Sequence, residues 1–125
     1  MPKVLIVDDD PDIRSMVQAI MKTEGYETDL AVDGQDFLDK VTDYDPDVVT
    51  LDVMMPGLNT WEVLSQLHEL PVNPKVILLT IVRYSPSERQ KLFEMGNVVD
   101  YIQKPFDIED LKKAVRQATE MKAEV

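Results

Sequence analysis

Apolar residues follow two alternating rhythms along the chain. Four short runs are almost continuously apolar: Val4-Leu5-Ile6-Val7, Val48-Val49-Thr50-Leu51, Val76-Ile77-Leu78-Leu79-Thr80 and Val98-Val99-Asp100-Tyr101-Ile102. Such runs suit strands covered on both faces, as in a parallel sheet. Tyr26 to Ala31 alternates instead, which suits a strand at the sheet edge. Between the runs the spacing becomes helical. Asp10-Pro11 reads as an N-cap and first helical residue, opening a helix to about Glu24 with Ile13, Met16, Val17, Ile20 and Met21 on one stripe. Gly25 stops it. Gln35 to Asp43 forms a shorter helix, with Phe37, Leu38 and Val41 inward, and Asn59 caps a third that buries Trp61, Leu64 and Leu67. Ser85-Pro86-Ser87-Glu88 has the form of a capping box for a fourth. Asp107 to Met121 is the last helix, carrying Ile108, Leu111, Val115 and Ala118 at helical spacing.

Five strand–helix units in succession predict an α/β fold: a doubly wound, five-stranded parallel sheet with helices on both faces. The strand order 2-1-3-4-5 fits the edge character of the second strand. With 125 residues and neither a repeat nor a low-complexity tract, a single domain over 1–125 is expected, its core running from about 3 to 121.

Composition narrows the function. The chain is 44% apolar and 30% charged, a globular profile, and its longest apolar runs are far too short to span a bilayer. It has no cysteine, so disulfides and thiolate metal sites are excluded, and the N-terminus lacks the pattern of a signal peptide. A cytoplasmic location is the default expectation. Asp and Glu number 24 against 13 Lys and Arg, for a formal charge of −11. Such a chain repels phosphate backbones and anionic membranes, so direct contact with nucleic acid or membrane is not expected.

In open α/β sheets, ligands bind beyond the carboxyl ends of the strands, where the strand order reverses. Here the first strand ends in Asp8-Asp9-Asp10, the third in Asp52, the fourth in Thr80, and Lys104-Pro105 follows the fifth. Adjacent first and third strands bring Asp8, Asp9 and Asp52 together. Clustered carboxylates repel one another, and a hard divalent cation resolves the conflict. Oxygen donors with a few waters suit Mg²⁺, with Asp9 and Asp52 as direct ligands, Asp8 acting through water and the Met54 backbone carbonyl as a further oxygen. A carboxylate so placed is also a nucleophile toward phosphorus, which makes Asp52 the candidate for an aspartyl phosphate. Lys104 and Thr80 could then engage the phosphoryl oxygens as a cation and a hydroxyl donor. Taken singly, each residue has a plainer role: Asp10 and Asp107 read as caps, His68 as a partly exposed helix residue and the methionines as core fillers. The joint placement at four strand ends is what capping alone does not explain.

At this point the chain resembles the receiver domains of two-component response regulators, over about Lys3 to Met121. The resemblance is carried by Val4-Leu5-Ile6-Val7-Asp8-Asp9-Asp10, by Leu51-Asp52-Val53-Met54-Met55-Pro56-Gly57 and by Asp100-Tyr101-Ile102-Gln103-Lys104-Pro105-Phe106, in that order and spacing. It implies a flavodoxin-like (βα)5 fold similar to the chemotaxis receivers, Asp52 as phosphoacceptor, Asp8 and Asp9 as the Mg²⁺-binding pair, and Thr80 and Lys104 as phosphoryl partners. It further implies a cis peptide between Lys104 and Pro105. Thr80 and Tyr101 are implied as the switch pair, biasing an existing equilibrium. The implied donor is a sensor histidine kinase or a small phosphodonor. The implied output surface is the fourth helix, fifth strand and fifth helix (about Ser87 to Gln117), facing a downstream protein or output domain. A homodimer is left open, and no output domain is expected within this stretch.

Three departures from the family pattern stand out. Ile81 occupies a position usually held by a small residue, Thr60 one where glycine is frequent, and the tract from Thr80 to Tyr101 is two residues longer than is common, one of them within Gly96 to Asp100. A degenerate receiver acting only as an interaction module, without phosphorylation, therefore stays open as an alternative. A phosphatase of the haloacid-dehalogenase type would need a second Asp two positions after the nucleophile; Asp52 has Met54 there, while Asp8 and Asp10 have the spacing but run directly into a helix. A flavodoxin-like cofactor carrier would need a Ser/Thr/Gly-rich loop where this chain has three carboxylates.

Overall fold

In the computed structural model, residues 1–53, 59–81, 83–95 and 97–121 are described. Strands and helices alternate: β1 (Lys3–Val7), α1 (Pro11–Thr23), β2 (Glu27–Ala31), α2 (Gly34–Tyr44), β3 (Val48–Asp52), α3 (Thr60–His68), β4 (Lys75–Thr80), α4 (Pro86–Glu94), β5 (Val98–Gln103) and α5 (Ile108–Glu120). The strands form one parallel sheet in the order β2-β1-β3-β4-β5. The fold is the flavodoxin-like α/β architecture expected from the sequence. Among the described residues, no helix is long and apolar enough to cross a membrane.

Period-two alternation divides the strand side chains between two cores. On one face Leu5, Val7, Val49, Leu51, Val76 and Leu78 meet Phe37 and Val41 of α2, Val63, Leu64 and Leu67 of α3, and Leu92 of α4. On the other, Val4, Ile6, Val48, Ile77 and Leu79 meet Val17 and Met21 of α1 and Leu111, Ala114, Val115 and Ala118 of α5.

Side chains set the helix starts. The Asp10 carboxylate accepts from the Asp12 and Ile13 N–H groups, Asp33 from Asp36, Asn59 from Glu62 and Asp107 from Glu109. The capping box is complete at α4, where Ser85 and Glu88 exchange hydrogen bonds. After α1, Gly25 adopts φ +88°, a left-handed conformation that glycine enters without penalty, and the chain turns into β2.

Three helix positions differ from expectation. Trp61, Met16 and Ile108 are exposed rather than buried. On α3 the buried stripe is Thr60, Val63, Leu64 and Leu67, the i, i+3, i+4, i+7 face, and Trp61 sits about 100° round from Thr60. Ile108 is the first residue of α5, and the stripe is completed instead by Ala114. Met16 flanks a stripe that Val17 and Met21 already fill. Of the methionines, Met21 is a fully buried core residue, while Met1, Met16 and Met121 are exposed.

The β4–β5 ladder contains one irregularity. Val76 pairs with Val98, but Ile77 pairs with Asp100, so Val99 is an extra residue, a β-bulge. It lies within the Thr80–Tyr101 tract. Because of it, Val98 and Tyr101, three positions apart, both pack on the α2–α3–α4 side, while Val99 and Ile102 pack on the α1–α5 side.

Candidate functional site

The parallel register places the ends of β1, β3 and β4 at one edge of the sheet. Val7 pairs with Leu51 and Asp52 with Leu79, so Asp8 and Asp52 leave neighbouring strands side by side. Both are buried, Asp8 at 2% exposure and Asp52 at 5%, whereas Asp9, in the turn before α1, is exposed. Carboxylate oxygens of Asp8, Asp9 and Asp52 lie within 4.8 Å of one another, a spacing at which one cation can be shared.

Lys104 enters from the far side. Its Nζ donates to Asp8 Oδ2 at 3.1 Å and lies 3.6 Å from Asp52 Oδ1, with its side chain only 12% exposed. Its placement is set by backbone: the Lys104 N–H donates to the Thr80 carbonyl at 2.7 Å, extending the β4–β5 ladder to the site. The Lys104–Pro105 peptide is cis. Thr80, fully buried, ends β4.

One ammonium does not balance three carboxylates. Carboxylate oxygens within 4.8 Å of one another repel, and solvent screens that repulsion most at exposed Asp9. The donor set consists of hard oxygens, arranged around a space that opens to solvent on the Asp9 side, and that chemistry fits a hard divalent cation. Asp8 accepts the Asp10 N–H at 2.9 Å besides its bond from Lys104. Met54, whose carbonyl the sequence suggested as a further ligand, lies outside the described residues, as does Val82.

Tyr101 stands back from the acidic edge. It pairs with Leu78 in the ladder, is half-buried, and meets Tyr84 edge to face, ring centroids 5.8 Å apart at 66°. Thr80 shares the strand parity of Leu78, so it belongs to the same sheet face as Tyr101. Ile81 turns its side chain outward, at 61% exposure.

Three contacts were not anticipated from sequence. Arg14 donates through Nη1 to the Asp8 carbonyl at 2.8 Å, tying α1 to the acidic turn. Its place one turn into a helix that starts at the site was the available signal. Thr60 Oγ1 donates to the Val53 carbonyl at 3.4 Å, next to Asp52. The Tyr84 phenol is pushed up from its ordinary pKa by burial, with Tyr101 adding to the effect and the Thr60 hydroxyl opposing it. Neither Thr60 nor Tyr84 belongs to a motif, and only the tertiary structure joins them.

Comparison with known proteins agrees with this geometry. Residues 4–116 match the family model described as the response regulator receiver domain. The chain is 39% identical over 114 residues to the response regulator MprA of Mycolicibacterium vanbaalenii, covering 91% of this chain and 48% of that protein. It thus spans about half the length of the MprA regulators it matches. With sporulation initiation phosphotransferase F of Bacillus subtilis it shares 35% identity over 122 residues, covering 97% of this chain and 96% of that one. Among solved structures it is similar to the receiver domain of the Francisella response regulator 1452, with a TM-score of 0.85 and 30% identity over 95% of this chain and 97% of that one. Vibrio cholerae chemotaxis protein CheY4 gives a TM-score of 0.80 and 32% identity, over 94% and 98% of the two chains. The acidic pocket of Asp8, Asp9 and Asp52 with Lys104 beside it, on a sheet of this order, is consistent with an aspartate phosphoacceptor, and the chain belongs to the response regulator receiver domain family of two-component signalling, a signalling module rather than a classical enzyme.

Proposed function

We propose that Asp52 accepts a phosphoryl group from the phosphohistidine of a sensor histidine kinase, or from a small phosphodonor. The observation that carries this reading is the buried Asp52 carboxylate, 3.6 Å from the Lys104 ammonium and grouped with Asp8 and Asp9 at the open edge of the sheet. An Asp52 carboxylate oxygen forms the new O–P bond as the N–P bond of the donor breaks, and the leaving imidazole takes up a proton. Hydrolysis later returns Asp52 and releases inorganic phosphate. Lys104 and Thr80 are assigned to the phosphoryl oxygens, as a cation and a hydroxyl donor.

Asp8, Asp9 and Asp52, with the Met54 carbonyl, are the residues assigned to hold Mg²⁺. When bound, this ion offsets the charge of the carboxylate and of the transferring phosphoryl group. Asp8, already accepting two hydrogen bonds, is suited to act through water, and exposed Asp9 to bind directly.

The output is assigned to the α4–β5–α5 surface, with Thr80 and Tyr101 as its switch. There a groove of about 470 Å³ is lined by Tyr101, Phe106, Asp110, Lys113 and Gln117, among others, a place for a downstream protein or output domain. A cytoplasmic setting follows from a kinase donor. Met54 and Val82, each two residues beyond Asp52 and Thr80 in sequence, are apolar, and apolar side chains near the phosphoryl group would orient attacking water poorly and lengthen the life of the phosphorylated form. Decay within seconds without a phosphatase would sink that last point.

Incubation with Mg²⁺ and acetyl phosphate, followed by intact mass, tests the assignment. The parent chain gains one phosphoryl group, and Asp52→Ala or a chelator abolishes the gain. A folded parent chain that gains nothing is instead an interaction module, with Ile81→Ala the next variant to try.

A further inference from the structure

Asp9 is the middle residue of the turn between the end of β1 and the start of α1, and one residue holds both flanks of that turn. The Arg14 backbone N–H donates to the Asp10 carbonyl at 2.9 Å, closing the first turn of α1. Its side chain runs back toward the helix start, the direction in which helical side chains lean, and Nη1 donates to the Asp8 carbonyl at 2.8 Å. Arg14 is thus bonded to the carbonyl of the residue before Asp9 and to that of the residue after it. Asp8 and Asp10 have further anchors. The Asp8 N–H donates to the Ala31 carbonyl at 3.2 Å, the Asp8 carboxylate accepts from Asp10 and Lys104, and the Asp10 carboxylate caps α1. Helix stability does not account for a cation at this place, because the N-terminal end of a helix carries partial positive charge and favours anions. Arg14 is nonetheless half-buried there, its guanidinium turned to the acidic turn.

We propose that Arg14 is a positioning residue for the cation site: by clasping the turn at Asp8 and Asp10 it keeps the exposed Asp9 carboxylate beside those of Asp8 and Asp52. The inference rests on the reading of these three aspartates as the Mg²⁺ residues and deepens it by naming a group that sets the affinity. Groups that hold a ligand residue in place tune metal affinity without touching the ion. Two effects of the guanidinium oppose each other. Its charge repels an incoming cation, so charge alone predicts that removing it tightens Mg²⁺ binding. The clasp predicts the reverse. It outweighs the charge because solvent screens the exposed side of the turn, whereas the bond to the Asp8 carbonyl is lost entirely. The sign of the change therefore separates the two.

The test titrates Mg²⁺ into the metal-free parent, Arg14→Met, Arg14→Lys, Asp9→Asn and the Arg14→Met/Asp9→Asn double variant, following amide resonances. Arg14→Met keeps an unbranched stem and removes the charge and the donors. Before the ion is added, it is expected to shift the Asp9 and Asp10 amides and leave those of α5 in place. It should then raise the Mg²⁺ dissociation constant several-fold. Arg14→Lys, which keeps a charged donor without the planar fork, should lie between Arg14→Met and the parent. In the Asp9→Asn background the same Arg14→Met change should leave Mg²⁺ affinity unchanged or tighter, since only the charge effect remains. An Arg14→Met that binds Mg²⁺ as tightly as the parent, or one that weakens binding equally with and without Asp9, would overturn the proposal. A parent chain that binds no Mg²⁺ would refute the metal reading itself, a different failure, because the clasp is also read without the ion. Asp9 and Asp10 amides unmoved in metal-free Arg14→Met overturn the clasp whether or not Mg²⁺ binds.

Discussion

Asp9 is the exposed member of the acidic triad, and among the described residues no hydrogen bond offsets its charge. Its proximity to Asp8 and Asp52 serves the chemistry at the expense of the fold, so neutralising it separates the two. Asp9→Asn is expected to raise stability without Mg²⁺ by up to about 1 kcal/mol and to weaken the stabilisation that Mg²⁺ gives the parent. Thermal melts with and without the ion read both effects, and an Asp9→Asn melting point below that of the parent in the absence of Mg²⁺ would contradict the repulsion argument. Two residues before Asp52 on the same strand, Thr50 Oγ1 is buried with no hydrogen-bond partner among the described residues. A buried hydroxyl left unpaired is destabilising, and valine has nearly the same shape. Thr50→Val should therefore stabilise by about 1 kcal/mol, seen as a higher denaturant midpoint with an unchanged slope.

At the level of elements, α4 is the least anchored helix: Leu92 is its one buried residue, so its start depends on the Ser85–Glu88 box. Hydrogen bonds from the Ser85 backbone and side chain hold the Glu88 carboxyl below its ordinary value of 4.5. Because the folded-state value is lowered, the cap is fully present above pH 4.5 and is lost as pH falls through the lower folded value. Amide exchange at the start of α4 should accelerate over that acidic range ahead of α1 and α5, and Ser85→Ala should cost about 1 kcal/mol at neutral pH. Equal acceleration in all three helices would argue against the box as the anchor. These caps were legible in the sequence because each depends on neighbours within three residues. So were the strands, whose apolar runs are buried on both faces, and the acidic edge, since strand ends and strand order together fix where Asp8, Asp52 and Lys104 meet. The outward turn of Trp61 and Ile108 was not legible. Apolar character gives a helix stripe only to within one residue, and which face is covered is decided by the sheet beneath. Thr60, Tyr84 and Arg14 escaped for a related reason: each acts through one hydrogen bond or ring contact to a partner outside its own element, which leaves no periodic pattern.

Across the whole molecule, the two faces of the sheet divide the work. Asp8 and Asp52 share the parity of Ile6 and Thr50, on the α1–α5 side, whereas Tyr101 belongs to the α2–α3–α4 side. Both faces depend on the stretch that follows β4, since Tyr101 and Lys104, which reaches Asp8 and Asp52, lie three residues apart on it. The bulge at Val99 shows how the chain accommodates an additional residue there. Register is resumed at Asp100, so everything downstream sits where an uninterrupted ladder would put it. Deleting Val99 should therefore leave Tyr101 against Tyr84 and Lys104 against Asp8, at a stability cost on the order of 1 kcal/mol from lost apolar contact. A deletion variant that loses phosphoryl acceptance while remaining folded would contradict this. The start of β5 thus acts as slack in the chain: residues can be gained or lost between Asn97 and Asp100 while the chemistry and the signalling surface keep their spacing.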